Sequence, residues 1–297
     1  MKIAILGENQ WAQAVATLVA EAGHQPKIGK DLQSPFSVRG FSGSTQWRHL
    51  TKESDLVIFT GETDTLIEAI QKAELGPQNQ VLVNSGIHNS SFQWNRDLVV
   101  QRTPVLRVGT IGGARLTEEV LTRTPTSLVI ASEFASVRTL GHQALHSDIC
   151  RVYFSDDTVG VDLVGLFVKM IQLAMGISDG LQCGNGTRGA IVSRGLIEGG
   201  RLGKALGAEE HSFLGIAGIG NIIASFKHSV FYSYGVQTID KGVMPQKAVQ
   251  LLNSLVQLNT PIKTDLPLTN ALLALGQESL TPTLLIDKLM RRKAAEE

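Results

Sequence analysis

The first residues with the means to do chemistry are Gly7-Glu8-Asn9-Gln10-Trp11-Ala12. They lie between an apolar strand candidate at Lys2–Leu6 and an Ala-rich helical pattern over about Gln10–Ala22. A strand–turn–helix of this kind aims the amides of a helix N-terminus at a phosphate. A complete dinucleotide fingerprint has three glycines: for the tight turn, for close approach of the pyrophosphate, and for helix–strand packing. Gly7 supplies the first, Asn9 stands at the second and Ala12 at the third. Asn9 is therefore expected to tolerate an unusual backbone angle while its side chain crowds a phosphate. Gly7, Asn9, Gln10 and Trp11 are the expected cofactor contacts; the competing reading is the same kind of sheet binding no cofactor. At the end of the next strand candidate come Gly29, Lys30 and Asp31. An acid there holds the ribose hydroxyls of NAD, and a cation favours the 2′-phosphate of NADP. Lys30 is nearer the expected spot, which favours NADP over NAD, against the alternative of solvated turn residues.

Other constellations are weaker. Of the seven histidines, His142 and His146 have helical spacing with Asp148 close by. A zinc site needs a third convergent ligand, and neither an HExxH motif nor a cysteine pair is present, so no metal is expected. Cys183 has no basic neighbour and reads as an inert thiol. Trp11, Trp47 and Trp94 form no stacking stripe. Gly195, Gly199, Gly200 and Gly203 read as sites of close helix packing.

These residues need a scaffold. Lys2–Leu6, Gln25–Ile28, Asp55–Thr60, Val81–Asn84, Val105–Val108 and Ser127–Ala131 are short apolar runs alternating with helical patterns, and Arg151–Phe154 is a last strand candidate. That alternation predicts a parallel sheet covered on both faces. From Val159 the periods become helical. The expected fold is α/β: an N-terminal doubly wound Rossmann-type parallel sheet over 1–157 and a C-terminal all-helical domain over 158–297, with the site in the crevice between them. The tail KLMRRKAAEE is expected to be a fraying helix end. The chain has 297 residues, 43% hydrophobic and 18% charged, with formal net charge zero. Neutrality gives no electrostatic case for nucleic acid or an anionic membrane. Two cysteines and a start that turns polar within ten residues fit a cytoplasmic protein without a secretory signal. Leu163–Ile177, broken by Lys169 and preceded by Asp162, is expected to be too short and too charged to span a bilayer.

The longest coherent stretch, VGVDLVGLFVKMIQLAMGISDGL followed by RGAIVSRGLIEGGRLGKALGAEEHSFLGIAGIGN, resembles the substrate domain of NAD(P)-dependent glycerol-3-phosphate dehydrogenases. WAQAVATLVAEAGH, SDLVIFTGETDTL, RVYFSDDTVGVDLVG and PLTNALLALGQESLTPTLLIDKLM extend the resemblance along the chain. Asp179-Gly180-Leu181, Arg188, Arg194-Gly195-Leu196, Gly203 and Ala217-Gly218 fall on family-typical positions. The resemblance implies hydride transfer between NAD(P)H and dihydroxyacetone phosphate, giving sn-glycerol 3-phosphate, a glycerophospholipid precursor. It also implies two lysines, an aspartate, a threonine and an arginine at the site. Here the first lysine is matched by Ser85, the second by Val168 with Lys169 one residue later, the aspartate by Asn221 and the threonine by Ser225. The arginine falls near Val230, and an acidic residue facing the adenosine ribose is matched nearest by Lys241.

The implied catalytic set is Lys169, Asn221 and Ser225. Ser85 joins the cofactor contacts, and Ser85, Gly109, Lys227 and His228 are the implied substrate contacts. Arg188 is a further candidate cation. The expected partner is a small phosphorylated or hydroxy/carbonyl metabolite, with no nucleic acid and no membrane span, and with a homodimer as the assembly to test. Two alternatives stay open: a catalytically degenerate nucleotide-binding or regulatory relative, and a dehydrogenase for a less charged substrate. Lys169 turns about 100° from Val168 on a helix. It is therefore either a displaced catalytic lysine or one that snorkels at the helix edge.

Overall fold

The computed structural model describes residues 1–30, 41, 43–88 and 91–285. Asp31 and the charged tail at 288–297 lie outside the described residues. The chain forms two compact units, Met1–Asp162 and Leu163–Glu297.

In the first unit the elements run β1 (Lys2–Leu6), α1 (Gln10–Glu21), β2 (Gln25–Gly29), β3 (Gly43–Ser44), α2 (Trp47–Lys52), β4 (Leu56–Phe59), α3 (Thr63–Ala73), β5 (Gln80–Asn84), α4 (Asn95–Arg102), β6 (Arg107–Gly112), α5 (Thr117–Leu121), β7 (Thr126–Ala131), α6 (Ala135–Leu145) and β8 (Cys150–Ser155). The strands make one sheet in the order β3-β2-β1-β4-β5-β6-β7-β8. All neighbours are parallel except β6 and β7, which pair antiparallel. The expected wholly parallel sheet is thus a mixed one. β3 gave no apolar signal because it is two residues long.

Alternate residues of one strand point to opposite faces, and the core divides accordingly. Ile3, Ile5, Leu56, Ile58, Leu82, Ile111 and Ile130 pack with α1, α5 and α6. Ala4, Leu6, Val57, Phe59, Val81, Val83 and Val108 pack with α2, α3 and α4. Burial on both faces explains why these strands read as continuous apolar runs. From β1 the chain winds outward to β2 and β3, then returns to β4 on the other side of β1. In open sheets this switch point, at the carboxyl ends of β1 and β4, is where ligands bind.

The second unit carries α7 (Thr158–Gly180), whose first turns belong to the first unit, then α8 (Asn185–Leu206), α9 (Glu210–Leu214), a π-helical turn at Ile216–Gly220, α10 (Asn221–Ser225), a 3₁₀ turn at Phe226–His228, α11 (Val230–Lys241), α12 (Gln246–Asn259) and α13 (Pro267–Gly276). Asp157 starts α7 by accepting from the Gly160 amide at 2.7 Å. Asp162 holds the helix start to the sheet by accepting from Thr110 Oγ1 at 2.9 Å. α7 is 23 residues long, so the stretch expected to be too short does meet the length and apolarity of a membrane span, but 89% of its apolar window is buried inside the protein.

Small residues set the helix packing. A Cβ on Gly176 or Gly235 would strike the backbone of the other's helix, so α7 and α11 touch backbone to backbone. Gly195 lies against Ile171, and Gly199 and Gly203 against Phe213, whereas Gly200 faces open space and has no packing role. Glu198, 2% exposed, accepts from the Leu268 and Thr269 amides and the Thr269 hydroxyl, closing the N-terminus of α13.

Candidate active site

The candidate nucleotide loop of the first unit is built on Gly7. Its φ of +148° is one that residues with a Cβ rarely adopt, and a Cβ there would collide with Thr60 Oγ1 and lie 3.1 Å from the Gly61 amide. β1 and the β4 loop can therefore close to backbone distance only with glycine at this position. Asn9 does not behave as its place in the motif suggests. Its backbone is ordinarily extended, at φ −132° and ψ 169°, and it is the N-cap of α1. Its Oδ1 accepts from the Ala12 amide at 2.8 Å and its Nδ2 donates to the Thr60 carbonyl at 2.7 Å. The side chain is consumed by these bonds, and the amides of Gln10 and Trp11 are left as the uncapped donors of the first turn.

Trp11 is 7% exposed, and its indole donates to Asn84 Oδ1 at 3.0 Å. Any ligand contact from Trp11 therefore falls to its amide. Asn84 in turn donates to the Thr60 and Gly61 carbonyls, both at 3.2 Å. Asn95 Nδ2 donates to the Asn84 carbonyl at 3.0 Å. This buried network fixes the ends of β1, β4 and β5 against one another. Asn84 was legible only as the one polar residue closing an apolar run. Ser85 follows it, half-buried, its amide donating to the Ile111 carbonyl at 3.0 Å. Lys30 lies on the other side of β1, at the end of β2, with its stem folded over Gly43.

Gly109 does not join this site. It sits inside β6, where a Cβ would meet the Ala131 carbonyl and Val137. It is needed for strand–helix packing under α6, and the expected substrate contact there is not supported.

Two charged groups of the first unit carried no sequence signal. Asp162 is 1% exposed, with Thr110 Oγ1 at 2.9 Å and Arg96 Nε at 3.3 Å. Burial pushes its carboxyl up to about 7, opposed by Arg96, Thr110 and the Gly86 amide, with Asp97 adding to the rise. Its Oδ2 and Arg96 Nε face each other as an ion pair, and among the described residues neither has a hydrogen bond of good geometry. Arg115, in the loop between β6 and α5, has its pKa lowered by desolvation, with Glu62 opposing. Its guanidinium makes no hydrogen bond or ion pair among the described residues.

In the second unit, Gln172 Nε2 donates to Ser225 Oγ at 2.9 Å, and Ser225 Oγ lies 2.7 Å from the Asn221 carbonyl and 2.8 Å from Asn221 Oδ1. Asn221 and Ser225 thus bond directly, one turn apart on α10, and Gln172, which carried no sequence signal, reaches Ser225 from α7. Val168 is 2% exposed and faces the core. Lys169 is half-buried, its amine 5.8 Å from the centre of the Phe231 ring. It stands three residues before Gln172 and so shares its helix face. Lys227 and His228 are exposed on the 3₁₀ turn, with Lys227 over the Phe226 ring at 5.8 Å. Arg188 is occupied: Asp179 binds it at 2.7 and 2.9 Å and also accepts from the Tyr232 hydroxyl at 2.6 Å. Burial works against the Asp179 charge, but Arg188, Tyr232 and Lys227 together hold the carboxyl below its ordinary value.

His142 and His146 stack with ring centres 4.4 Å apart, and His146 Nδ1 accepts from the Val152 amide at 3.2 Å. Among the described residues no group of three His, Cys, Asp or Glu could hold a metal ion.

Comparison with known proteins extends the reading. The family model for the NAD-dependent glycerol-3-phosphate dehydrogenase C-terminus matches residues 157–287. A Legionella pneumophila protein named glycerol-3-phosphate dehydrogenase (NAD(P)+) is 31% identical over 239 residues, covering 74% of this chain and 73% of its own. A Methylibium petroleiphilum protein of the same name is 27% identical across 100% of this chain and 98% of its own. The crystal structure of glycerol-3-phosphate dehydrogenase from Coxiella burnetii superposes with a TM-score of 0.85 at 23% identity, covering 98% of both chains. That from Plasmodium falciparum gives 0.85 at 16%, covering 100% of this chain and 97% of its own. The chain belongs to the NAD(P)-dependent glycerol-3-phosphate dehydrogenase family.

Proposed function

We propose that this protein is an NAD(P)-dependent oxidoreductase that interconverts dihydroxyacetone phosphate and sn-glycerol 3-phosphate. The observation that carries the reading is the 31% identity, over 74% of the chain, to a relative named for that activity. The first-unit loop fits a dinucleotide: Gly7 leaves a cradle that a Cβ would fill, and the first turn of α1 keeps two amides uncapped.

In this reading the Gln10 and Trp11 amides hold the pyrophosphate, beside Gly7 and Ser85. Lys30 approaches the adenosine ribose and favours the 2′-phosphate of NADP over NAD. When bound, the nicotinamide supplies or accepts the hydride. As the carbonyl is reduced, its oxygen gains negative charge and finally a proton. Lys169 is the proton-bearing group nearest the sequence position of the family lysine, and Asn221 and Ser225 offer neutral hydrogen bonds. Lys227, His228 and Arg115 are the cations assigned to phosphate groups. A cytoplasmic location and a homodimer complete the reading, and sedimentation velocity tests the dimer.

The deciding experiment mixes purified protein with NADPH or NADH and dihydroxyacetone phosphate and follows the nicotinamide absorbance. Turnover above the rate without protein is expected, faster with NADPH. Binding of either nucleotide without turnover would refute the assigned reaction.

A further inference from the structure

Gln172 is 3% exposed in the middle of a helix whose neighbouring residues, Ile171, Leu173 and Met170, are buried and apolar. A carboxamide in such a place is costly unless it is hydrogen-bonded, and a leucine would fill the space without that cost. Among the described residues the one bond its side chain makes goes to Ser225. The serine hydroxyl has a single hydrogen, and both acceptors within its reach, at 2.7 and 2.8 Å, belong to Asn221. Donation therefore runs one way, from Gln172 through Ser225 to Asn221. The one hydrogen is shared between the Asn221 carbonyl and Oδ1, and with Oδ1 facing the serine hydroxyl the orientation of the carboxamide is set and its Nδ2 hydrogens become the outward donors.

The backbone before Asn221 is equally constrained. Ile216–Gly220 is a π-helical turn, with the Gly220 amide donating to the Gly215 carbonyl at 3.1 Å. A Cβ on Gly218 would collide with the backbone of Phe213. Such turns are rare and recur at functional sites.

We propose that Gln172 is a positioning residue that aims the Asn221 carboxamide, through Ser225, as a neutral N–H donor at the carbonyl or hydroxyl oxygen of the substrate. This rests on the dehydrogenase reading and deepens it. The oxygen that becomes negative as the carbonyl is reduced is met by a fixed dipole from Asn221, in a cluster of three uncharged side chains. In this uncharged cluster Asn221 gives a hydrogen that an ionised aspartate of the same shape, the family residue matched here, does not have.

The test uses the full chain, dihydroxyacetone phosphate with NADPH, and the nitrogen-15 spectrum of the Asn221 side-chain amide, assigned by its loss in Asn221→Asp. Asn221→Asp is expected to lower kcat about 100-fold, the usual effect of removing one such donor. Gln172→Met keeps the volume and should lower kcat about tenfold, since the donor is then present but not aimed, with KM within about twofold. The Asn221 amide signals should move in Gln172→Met, and in the wild type on adding sn-glycerol 3-phosphate. Wild-type kcat in Gln172→Met with unmoved Asn221 signals overturns the proposal. Should Gln172→Met not fold, Ser225→Ala cuts the same relay and is read the same way. A wild type that turns over nothing refutes the dehydrogenase reading by itself. Asn221 signals that stay unmoved in the relay variants then overturn the aiming role separately.

Discussion

Replacing Asp162 by Asn should remove a specific pH dependence from the stability of the protein. The Asp162 carboxyl is 1% exposed, and burial raises its pKa from 3.8 to about 7 despite Arg96 at 3.3 Å and Thr110 at 2.9 Å. The unfolded chain releases this proton near its ordinary value, whereas the folded chain keeps it until about pH 7. The stabilisation is therefore complete below pH 4 and is lost as pH rises towards 7. Between roughly pH 5 and 6.5 the slope is about 1.4 kcal/mol per pH unit, and a rise of about 3 units totals about 4 kcal/mol. No discount for solvent screening applies, because the group is buried. The carboxamide introduced by Asp162→Asn has nothing to titrate and retains an oxygen for Thr110. The altered partner for Arg96 adds only a constant offset, since the guanidinium stays charged throughout. Urea unfolding of both proteins from pH 4.5 to 8, followed by tryptophan fluorescence, gives the difference in stability at each pH; titrations common to both cancel. The wild type should lose about 3–4 kcal/mol relative to Asp162→Asn across that range. A difference flat to within about 0.5 kcal/mol would mean that Asp162 is ionised in the folded protein, and the burial argument would fail.

Other expectations follow from the same geometry. Gly7→Ala should cost about 2–4 kcal/mol, from the strained φ and the displaced Thr60, and weaken NADPH binding. Unfolding curves and nucleotide titrations that both match the wild type would contradict the close approach of β1 to the β4 loop. Glu198→Ala orphans the Leu268 and Thr269 amides and the Thr269 hydroxyl, and should cost about 3 kcal/mol of stability by calorimetry. An unchanged transition would show that α13 is capped by other means. Arg115→Met should weaken binding of NADPH or of sn-glycerol 3-phosphate about tenfold while leaving the fold intact, because the half-buried guanidinium makes no hydrogen bond or ion pair among the described residues. Titration calorimetry with each ligand reads this, and affinities equal to the wild type's for both would exclude Arg115 from the phosphate site.

Much of the fold was legible because a strand buried on both faces must be apolar at every position, and a helix must repeat with period 3.6. Leu56–Phe59 and Gln80–Asn84 declared themselves that way, as did the long helix after Thr158. Nothing in one residue's neighbours reveals strand direction, so the antiparallel β6–β7 pair was invisible, and so was the two-residue β3. The site divides along the same line. Gly7 followed from local chemistry, because a tight strand-to-helix turn needs that residue whatever surrounds it. Asn9 stands at the second glycine position of the motif, yet its partners, Ala12 three residues on and Thr60 fifty-one residues away, make it a cap. Gly109 stands among the substrate contacts implied by the resemblance, yet it lies inside β6 with Val137 of α6 packed over it.

By itself the sequence determined the two-part architecture and the glycine turn after β1, since each depends on residue type and near spacing, and its resemblance to the family implied uncharged residues at Ser85, Val168 and Asn221. Only the tertiary structure decided which side chains surround Asn221 and Asp162. The bond from Gln172 to Ser225 spans fifty-three positions, and the contacts of Asp162 with Thr110 and Arg96 span fifty-two or more. Hydrogen bonds and desolvation act through space, so partners this distant in the chain are chosen by packing.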